Sequence, residues 1–185
     1  MEGLMQGFPI PIYFKEDIGL DIEIPKDLLP EGEVMTKLKS KELKDAVLYT
    51  TSEIIQRMGY VDQPMRVVDM WFNKYDNTRP ILKYHYHQNC AWTGTYYPFE
   101  VNHETELFNP NASFFQQNYP KVERYSEWNS ASITLGEQKA GSLLIHPSYI
   151  GHQVLWNGDE PSYSVSFDIQ YNLPIGDKTY GSYVE

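Results

Sequence analysis

Between Lys37 and Arg57 apolar residues recur at spacings of three and four, which places Leu43, Ala46, Val47, Thr50 and Ile54 on one face of a helix. Gly59 follows where a glycine closes a helical last turn. Beyond Gly59 the helical period disappears. Met65–Phe72, Ile81–His87, Thr93–Val101, Ala131–Leu135, Ser142–Ile145, Gln153–Trp156 and Ser162–Tyr171 are short runs that each predict a strand. Turn signals separate them: Asn109-Pro110, Asn157-Gly158-Asp159 and Pro174-Ile175-Gly176. Upstream, Phe8–Phe14 alternates apolar residues with prolines and reads as an edge strand, and a loop containing Pro25–Glu33 follows it. The pattern predicts a mainly β protein, an antiparallel barrel or jelly roll with one or two N-terminal helices packed on it. No repeat or linker divides the chain. One domain over residues 1–185 is expected, with a strand and helical support in 1–60, a β core in 61–172 and a tail in 173–185.

Composition narrows the functional classes. With 185 residues the chain can bury a core without staples, and 41% hydrophobic and 15% aromatic content argue against disorder. Lys and Arg total 15 against 25 Asp and Glu, a net charge of −10. No basic face for tracking phosphates is expected, so neither nucleic acid nor an anionic membrane surface is a predicted partner. Apolar runs such as Leu143–Ile145 are far too short to span a bilayer. The opening MEGLMQGFPIPIYFKED has no cationic start and carries early prolines, unlike a signal peptide. A single cysteine, Cys90, excludes an internal disulfide framework and a multi-cysteine zinc site. The expected location is cytoplasmic.

The candidate chemistry lies in the histidines. His85 and His87 are one residue apart in Tyr84-His85-Tyr86-His87, and on a strand such residues project to the same side. Two imidazoles sharing one space suit a divalent metal. Gly141 through His152 describes an apolar strand ending at Pro147, a turn, and a histidine opening the next strand. Only the fold could unite His152 with the His85–His87 pair.

These motifs carry a resemblance. Phe8-Pro9-Ile10-Pro11, His85-Tyr86-His87-Gln88-Asn89, Thr93-Gly94-Thr95-Tyr96-Tyr97, Gly141 through Ser148, His152-Gln153-Val154 and Ser166-Phe167 occur in this order. Together they resemble the double-stranded β-helix (cupin) superfamily. Within it, they are similar to short iron(II)/2-oxoglutarate-dependent oxygenases, frequent in marine bacteria and phages. The resemblance implies a double-stranded β-helix and a bound Fe(II) with 2-oxoglutarate as co-substrate. It also implies hydroxylation of a peptidyl or small-molecule substrate, and a bacterial host cytoplasm if the chain is phage-encoded. His85 and His152 become the two metal histidines. His87 falls where related enzymes carry an acidic ligand, so it completes a three-histidine catalytic site unless an acid such as Asp168 or Glu100 does.

The resemblance also implies an arginine about ten residues after the last histidine to hold the co-substrate's distal carboxylate. Ser162 stands there instead, and no Lys or Arg occurs between His152 and Lys178. Tyr97 matches a tyrosine that contacts the co-substrate in prolyl-hydroxylase-like relatives. Tyr75 and Ser164 are further candidates for that contact. Lys83, Arg124 or Lys139 could supply the missing cation, Lys83 because it shares strand parity with His85.

Plainer roles are expected elsewhere. His103, in the polar turn Asn102-His103-Glu104, should be exposed, whereas His146 should be packed or hydrogen-bonded. Cys90 should behave as a small buried hydrophobe, and Trp71, Trp92, Trp128 and Trp156 as core or rim. Two alternatives stay open. One is a cupin-type metalloenzyme with a three-histidine site and no 2-oxoglutarate; the other is a non-catalytic β-barrel binding or structural protein. A homodimer is compatible with all three readings.

Overall fold

The computed structural model describes residues 10–20, 22–112, 121, 123–124 and 130–172. The expected tail in 173–185, the turn at 174–176, Trp128 and the start of the Phe8–Phe14 strand lie outside the described residues.

The expected helix forms as α1, Lys41–Arg57. It starts later than the apolar period suggests because Ser40 supplies the N-cap, its Oγ accepting from the Leu43 N–H at 3.2 Å. Gly59 closes the other end at φ +87°, and the Tyr60 N–H reaches back to the Ile55 carbonyl at 3.2 Å. Leu43, Val47, Thr50, Thr51, Ile54 and Ile55 form its buried face.

Ten strands are described: β1 Tyr13–Lys15, β2 Met35–Lys37, β3 Met65–Tyr75, β4 Ile81–His85, β5 Trp92–Tyr97, β6 His103–Phe108, β7 Ser132–Leu135, β8 Ser142–Pro147, β9 His152–Trp156 and β10 Ser162–Tyr171. They form a six-stranded sheet, β1-β8-β5-β10-β3-β2, and a four-stranded sheet, β4-β9-β6-β7. From β3 to β6, and again from β8 to β10, the chain passes from one sheet to the other at each strand, the winding of a double-stranded β-helix. β2 and β6 were not expected. The Thr93–Val101 run shortens to β5, and β4 ends at His85 rather than His87.

Side-chain parity on the large sheet explains where the site can be. Met70 and Phe72 of β3, Trp92 and Tyr96 of β5, Leu143 and Ile145 of β8, and Val165, Phe167 and Ile169 of β10 pack in one apolar cluster with Leu43, Val47, Ile54 and Ile55 of α1. The alternate residues turn toward the small sheet and are mostly polar. Asp69, Trp71 and Tyr75 of β3, Thr95 of β5, His146 of β8 and Ser164 and Ser166 of β10 line a cavity of about 730 Å³ between the sheets. Tyr97, Val101, Leu107, Leu144 and Ile150 fill the remaining inter-sheet space as a second apolar cluster. The hydrophobic effect therefore holds the sheet from its helix side, leaving the inner face free to carry polar chemistry.

Candidate metal centre

His85 closes β4 and His152 opens the neighbouring strand β9, where the two are direct antiparallel partners. Their rings lie 4.3 Å apart between centroids. His87 lies beyond the strand, in a loop held by several contacts. Its N–H donates to the Ser148 carbonyl at 3.1 Å. Ser148 in turn donates through Oγ to the Cys90 carbonyl at 2.7 Å and through N–H to the Ala91 carbonyl at 3.1 Å. Asn89 makes the turn at φ +62°, a left-handed conformation that asparagine tolerates better than most residues. Trp71 stacks on the His87 ring at 5.7 Å.

The result is one cluster. His85, His87 and His152 each offer a ring nitrogen, and the three nitrogens lie within 4.8 Å of one another. Backbone acceptors assign the tautomers of two of them: His85 Nδ1 is 2.7 Å from the Lys83 carbonyl and His152 Nδ1 is 3.4 Å from the Ile150 carbonyl. Their Nδ1 atoms therefore carry the proton and Nε2 keeps the lone pair a metal needs. His87 Nδ1 lies 2.7 Å from Asp168 Oδ1, though off the line of an aligned hydrogen bond. Asp168 thus stands behind His87 rather than among the clustered nitrogens, while Glu100 is exposed on the surface. Burial holds the His152 pKa far below the ordinary histidine range and lowers that of His85, so both are neutral at physiological pH. Three imidazole nitrogens brought together at one end of the cavity fit a borderline divalent cation such as Fe(II).

His146 completes a fourth corner without joining the cluster. It is buried with its Nδ1 3.0 Å from the Pro147 carbonyl, and its ring meets His152 edge-on at 5.2 Å. Cys90 is half-buried beside Asp168, and burial pushes its thiol up to about 12, the behaviour of an inert small hydrophobe.

The remaining candidates separate. Tyr75 and Ser164 line the same cavity as the histidines, with Ser164 Oγ donating to Tyr75 Oη at 3.5 Å. Tyr97 is fully buried just behind them, 3.2 Å from Thr105 Oγ1. Lys83 is exposed and does not line the cavity: a register shift between Leu82 and His85 interrupts the alternation that would have put it beside His85. Arg124 is also exposed, and Lys139 pairs with Glu16 at 3.1 Å on the surface.

Among the cavity residues that sequence reasoning missed are Arg79 and His103. Arg79, from the turn between β3 and β4, is half-buried in its wall. His103 is 1% exposed rather than in a turn. It begins β6, whose pattern His-Glu-Thr-Glu-Leu-Phe buries His103, Thr105 and Leu107. The alternation was legible, but two of its three inward residues are polar.

Burial also makes the cavity acid-sensitive. It lowers His103 and His146 to about 4, whereas the unfolded chain titrates near roughly 6.5. A depressed histidine pKa means the unfolded state takes up more protons in this window, so folding stability falls as pH drops from about 6.5 to about 4. Each group contributes on the order of 3 kcal/mol when fully titrated. Urea midpoints measured at pH 7 and pH 4.5 should differ, and His146→Asn should flatten that slope.

A family model described as "Putative 2OG-Fe(II) oxygenase" matches residues 69–168, more than half of the chain. The matched segment contains all three clustered histidines. No match was found among curated proteins. Among solved structures, the chain is similar to the non-heme alpha-ketoglutarate-dependent epimerase SnoN from nogalamycin biosynthesis, with 14% identity, 76% of this chain and 61% of that chain covered, and a TM-score of 0.48. It is similar to a prolyl-4-hydroxylase of Pseudomonas putida, with 14% identity, coverage of 74% and 67%, and a TM-score of 0.46. It is also similar to HygX of Streptomyces hygroscopicus, solved with nickel and 2-oxoglutarate, with 10% identity, coverage of 71% and 65%, and a TM-score of 0.46. The chain spans about three-fifths of the length of SnoN and of the related carbocyclase SnoK. By its match across the stretch that builds the three-histidine cluster, this chain belongs to the 2OG-Fe(II) oxygenase family.

Proposed function

We propose that this chain is a non-haem Fe(II)- and 2-oxoglutarate-dependent oxygenase that hydroxylates a small-molecule or peptidyl substrate. The observation that carries the reading is the cluster of His85, His87 and His152 within the family-matched segment. Fe(II) with 2-oxoglutarate and dioxygen supplies the oxidising power for insertion of oxygen into an unactivated C–H bond. The chain's own contribution is geometry. His85, His87 and His152 would hold the metal, and the cavity before them would admit the co-substrate and substrate. His87, backed by Asp168, occupies the place of the acidic ligand in related enzymes. The carboxylate thus acts from behind the ring, where its charge favours the metal-bound state. Trp71 and Tyr86, with the Lys37–Asp69 ion pair, line the cavity as contacts for a substrate. Among the described residues no helix is long and apolar enough to cross a membrane.

Anaerobic addition of Fe(II) and then 2-oxoglutarate to metal-free protein tests the reading. The expected result is the weak visible charge-transfer band of the chelate, lost in His85→Ala. His87→Asp should keep the band with a shifted maximum, since a carboxylate replaces an imidazole; an unchanged band position would remove His87 from the ligand set. Among the described residues no carboxylate joins the cluster, which favours a second reading, a three-histidine metalloenzyme that needs no 2-oxoglutarate. Iron uptake with no response to 2-oxoglutarate would select it.

A further inference from the structure

The expected arginine on β10 is replaced by Ser162, and the space beside that serine holds an imidazole. His103 Nδ1 lies 2.7 Å from Ser162 Oγ. The Asn102 N–H donates to the same oxygen at 3.4 Å, and the serine hydroxyl can at the same time donate to His103 Nδ1. In that arrangement the ring carries its proton on Nε2. Nε2 is buried and has no hydrogen-bond partner. Burial also holds the ring at about 4, so it is a neutral donor. An orphaned buried donor is uncommon in a native fold and points to an acceptor that arrives with a ligand.

The surroundings say which acceptor. Tyr75 packs against His103 at 4.6 Å and Tyr97 at 5.8 Å, so the imidazole is wedged between two aromatic rings. Tyr75 Oη, Ser164 Oγ and Thr105 Oγ1 add hydroxyl groups around the same end of the cavity. Arg79 places its guanidinium 5.5 Å from the Tyr75 ring centroid. Its Nη1 donates to the Val34 carbonyl at 3.3 Å, and no salt bridge joins it to a carboxylate among the described residues. A fixed neutral donor, hydroxyls and one half-buried guanidinium together make a site for a carboxylate. It lies in the same cavity as the three metal-site histidines.

We propose that His103 and Arg79 together hold the distal carboxylate of the 2-oxo acid co-substrate, in place of an arginine on β10. His103 fixes one oxygen from the cavity floor, braced by Ser162. Arg79 supplies the positive charge from the β3–β4 turn. The co-substrate class follows: a 2-oxo acid with a second carboxylate, five carbons long in 2-oxoglutarate. The inference rests on the oxygenase reading above.

The test compares 2-oxoglutarate with 2-oxovalerate, which has the same carbon chain but no distal carboxylate. Both are titrated anaerobically into Fe(II)-loaded protein, reading the visible chelate band, and into Ni(II)-loaded protein, reading the shift in melting temperature. The native chain should prefer 2-oxoglutarate. In His103→Leu and in Arg79→Gln the dissociation constant for 2-oxoglutarate should rise about ten- to hundredfold, the range expected for losing a hydrogen bond to a charged group. That for 2-oxovalerate and the metal content should stay unchanged, a split that general misfolding would not produce. His103→Gln, whose amide can still donate, should recover part of the preference. Arg79→Gln lies in a surface turn and keeps the test decisive if His103→Leu does not fold. An undiminished preference in both variants would overturn the assignment and leave the oxygenase reading standing. Equal binding of the two acids by the native chain would do the same. No band and no shift with either acid would overturn both.

Discussion

His152→Ala should lose stoichiometric binding of a divalent metal, whereas the native chain should take up one ion. The reason is positional: His152 faces both other histidines, with ring centroids 4.3 Å from His85 and 5.2 Å from His87. It would also be a rigid ligand, on a strand held between β4 and β6. Removing one of three nitrogens should weaken the metal on the order of 100- to 1000-fold, since a whole ligand counts for more than the 10- to 100-fold typical of its outer-shell partners. Thermal melting reads this directly. Free metal at about 1000 times the native dissociation constant adds about 4 kcal/mol of stability, or about 8–16 °C in a chain of this size. In His152→Ala, a 1000-fold weaker site leaves only about 0.4 kcal/mol of that gain. The metal-free protein should melt nearly as before, because the lost side chain faces an open cavity. An undiminished metal-induced shift would remove His152 from the site.

Gly94→Ala should be the most damaging small substitution in the β core. Gly94 sits in β5, between β8 and β10, on the helix side of the sheet. A Cβ there would overlap the Leu144 carbonyl oxygen and lie 2.5 Å from Phe167 Cζ. The Phe167 ring packs close against the strand at Gly94, where no side chain projects. Phe167 is fully buried and cannot withdraw. Overpacking of this kind costs typically 1–3 kcal/mol, and the backbone clash places Gly94→Ala at about 3 kcal/mol or more. The melting temperature should fall by about 6–12 °C. Gly136→Ala, where nothing lies within 4 Å of the added methyl, is the control and should melt unchanged. Trimming the ring in Gly94→Ala/Phe167→Leu should recover only part of the loss, since the Leu144 carbonyl remains.

What the sequence made legible, and what it hid, follows one physical line. α1 and its Gly59 stop were readable because the helix buries Leu43, Val47, Ile54 and Ile55 at helical spacing. β10 was readable because Val165, Phe167 and Ile169 alternate with Ser164, Ser166 and Asp168. His85 and His87 were readable as a pair because alternate residues of a strand share a face, and His152 joined them only through the family resemblance. β6 was missed because its inward residues include His103 and Thr105, and a polar inner face imitates a turn. Local rules fail where the chain has placed function against its own hydrophobic pattern. Lys83 was misplaced by a related cause. Alternation predicts facing only while the ladder is regular, and the shift before His85 is invisible in the residue types. Arg79 carried no signal at all, since a turn arginine is ordinarily solvated.

The parity of β10 has a consequence for how such a chain can change. Val165, Phe167 and Ile169 are each fully buried on the helix side, while Ser164 and Ser166 line the cavity. Cohesion and recognition thus occupy opposite sides of a single strand, one residue out of phase. A point substitution on the cavity side can alter what enters without loosening the layer beneath it. A lineage built on this sheet can therefore exchange substrates by small steps while keeping its packing intact.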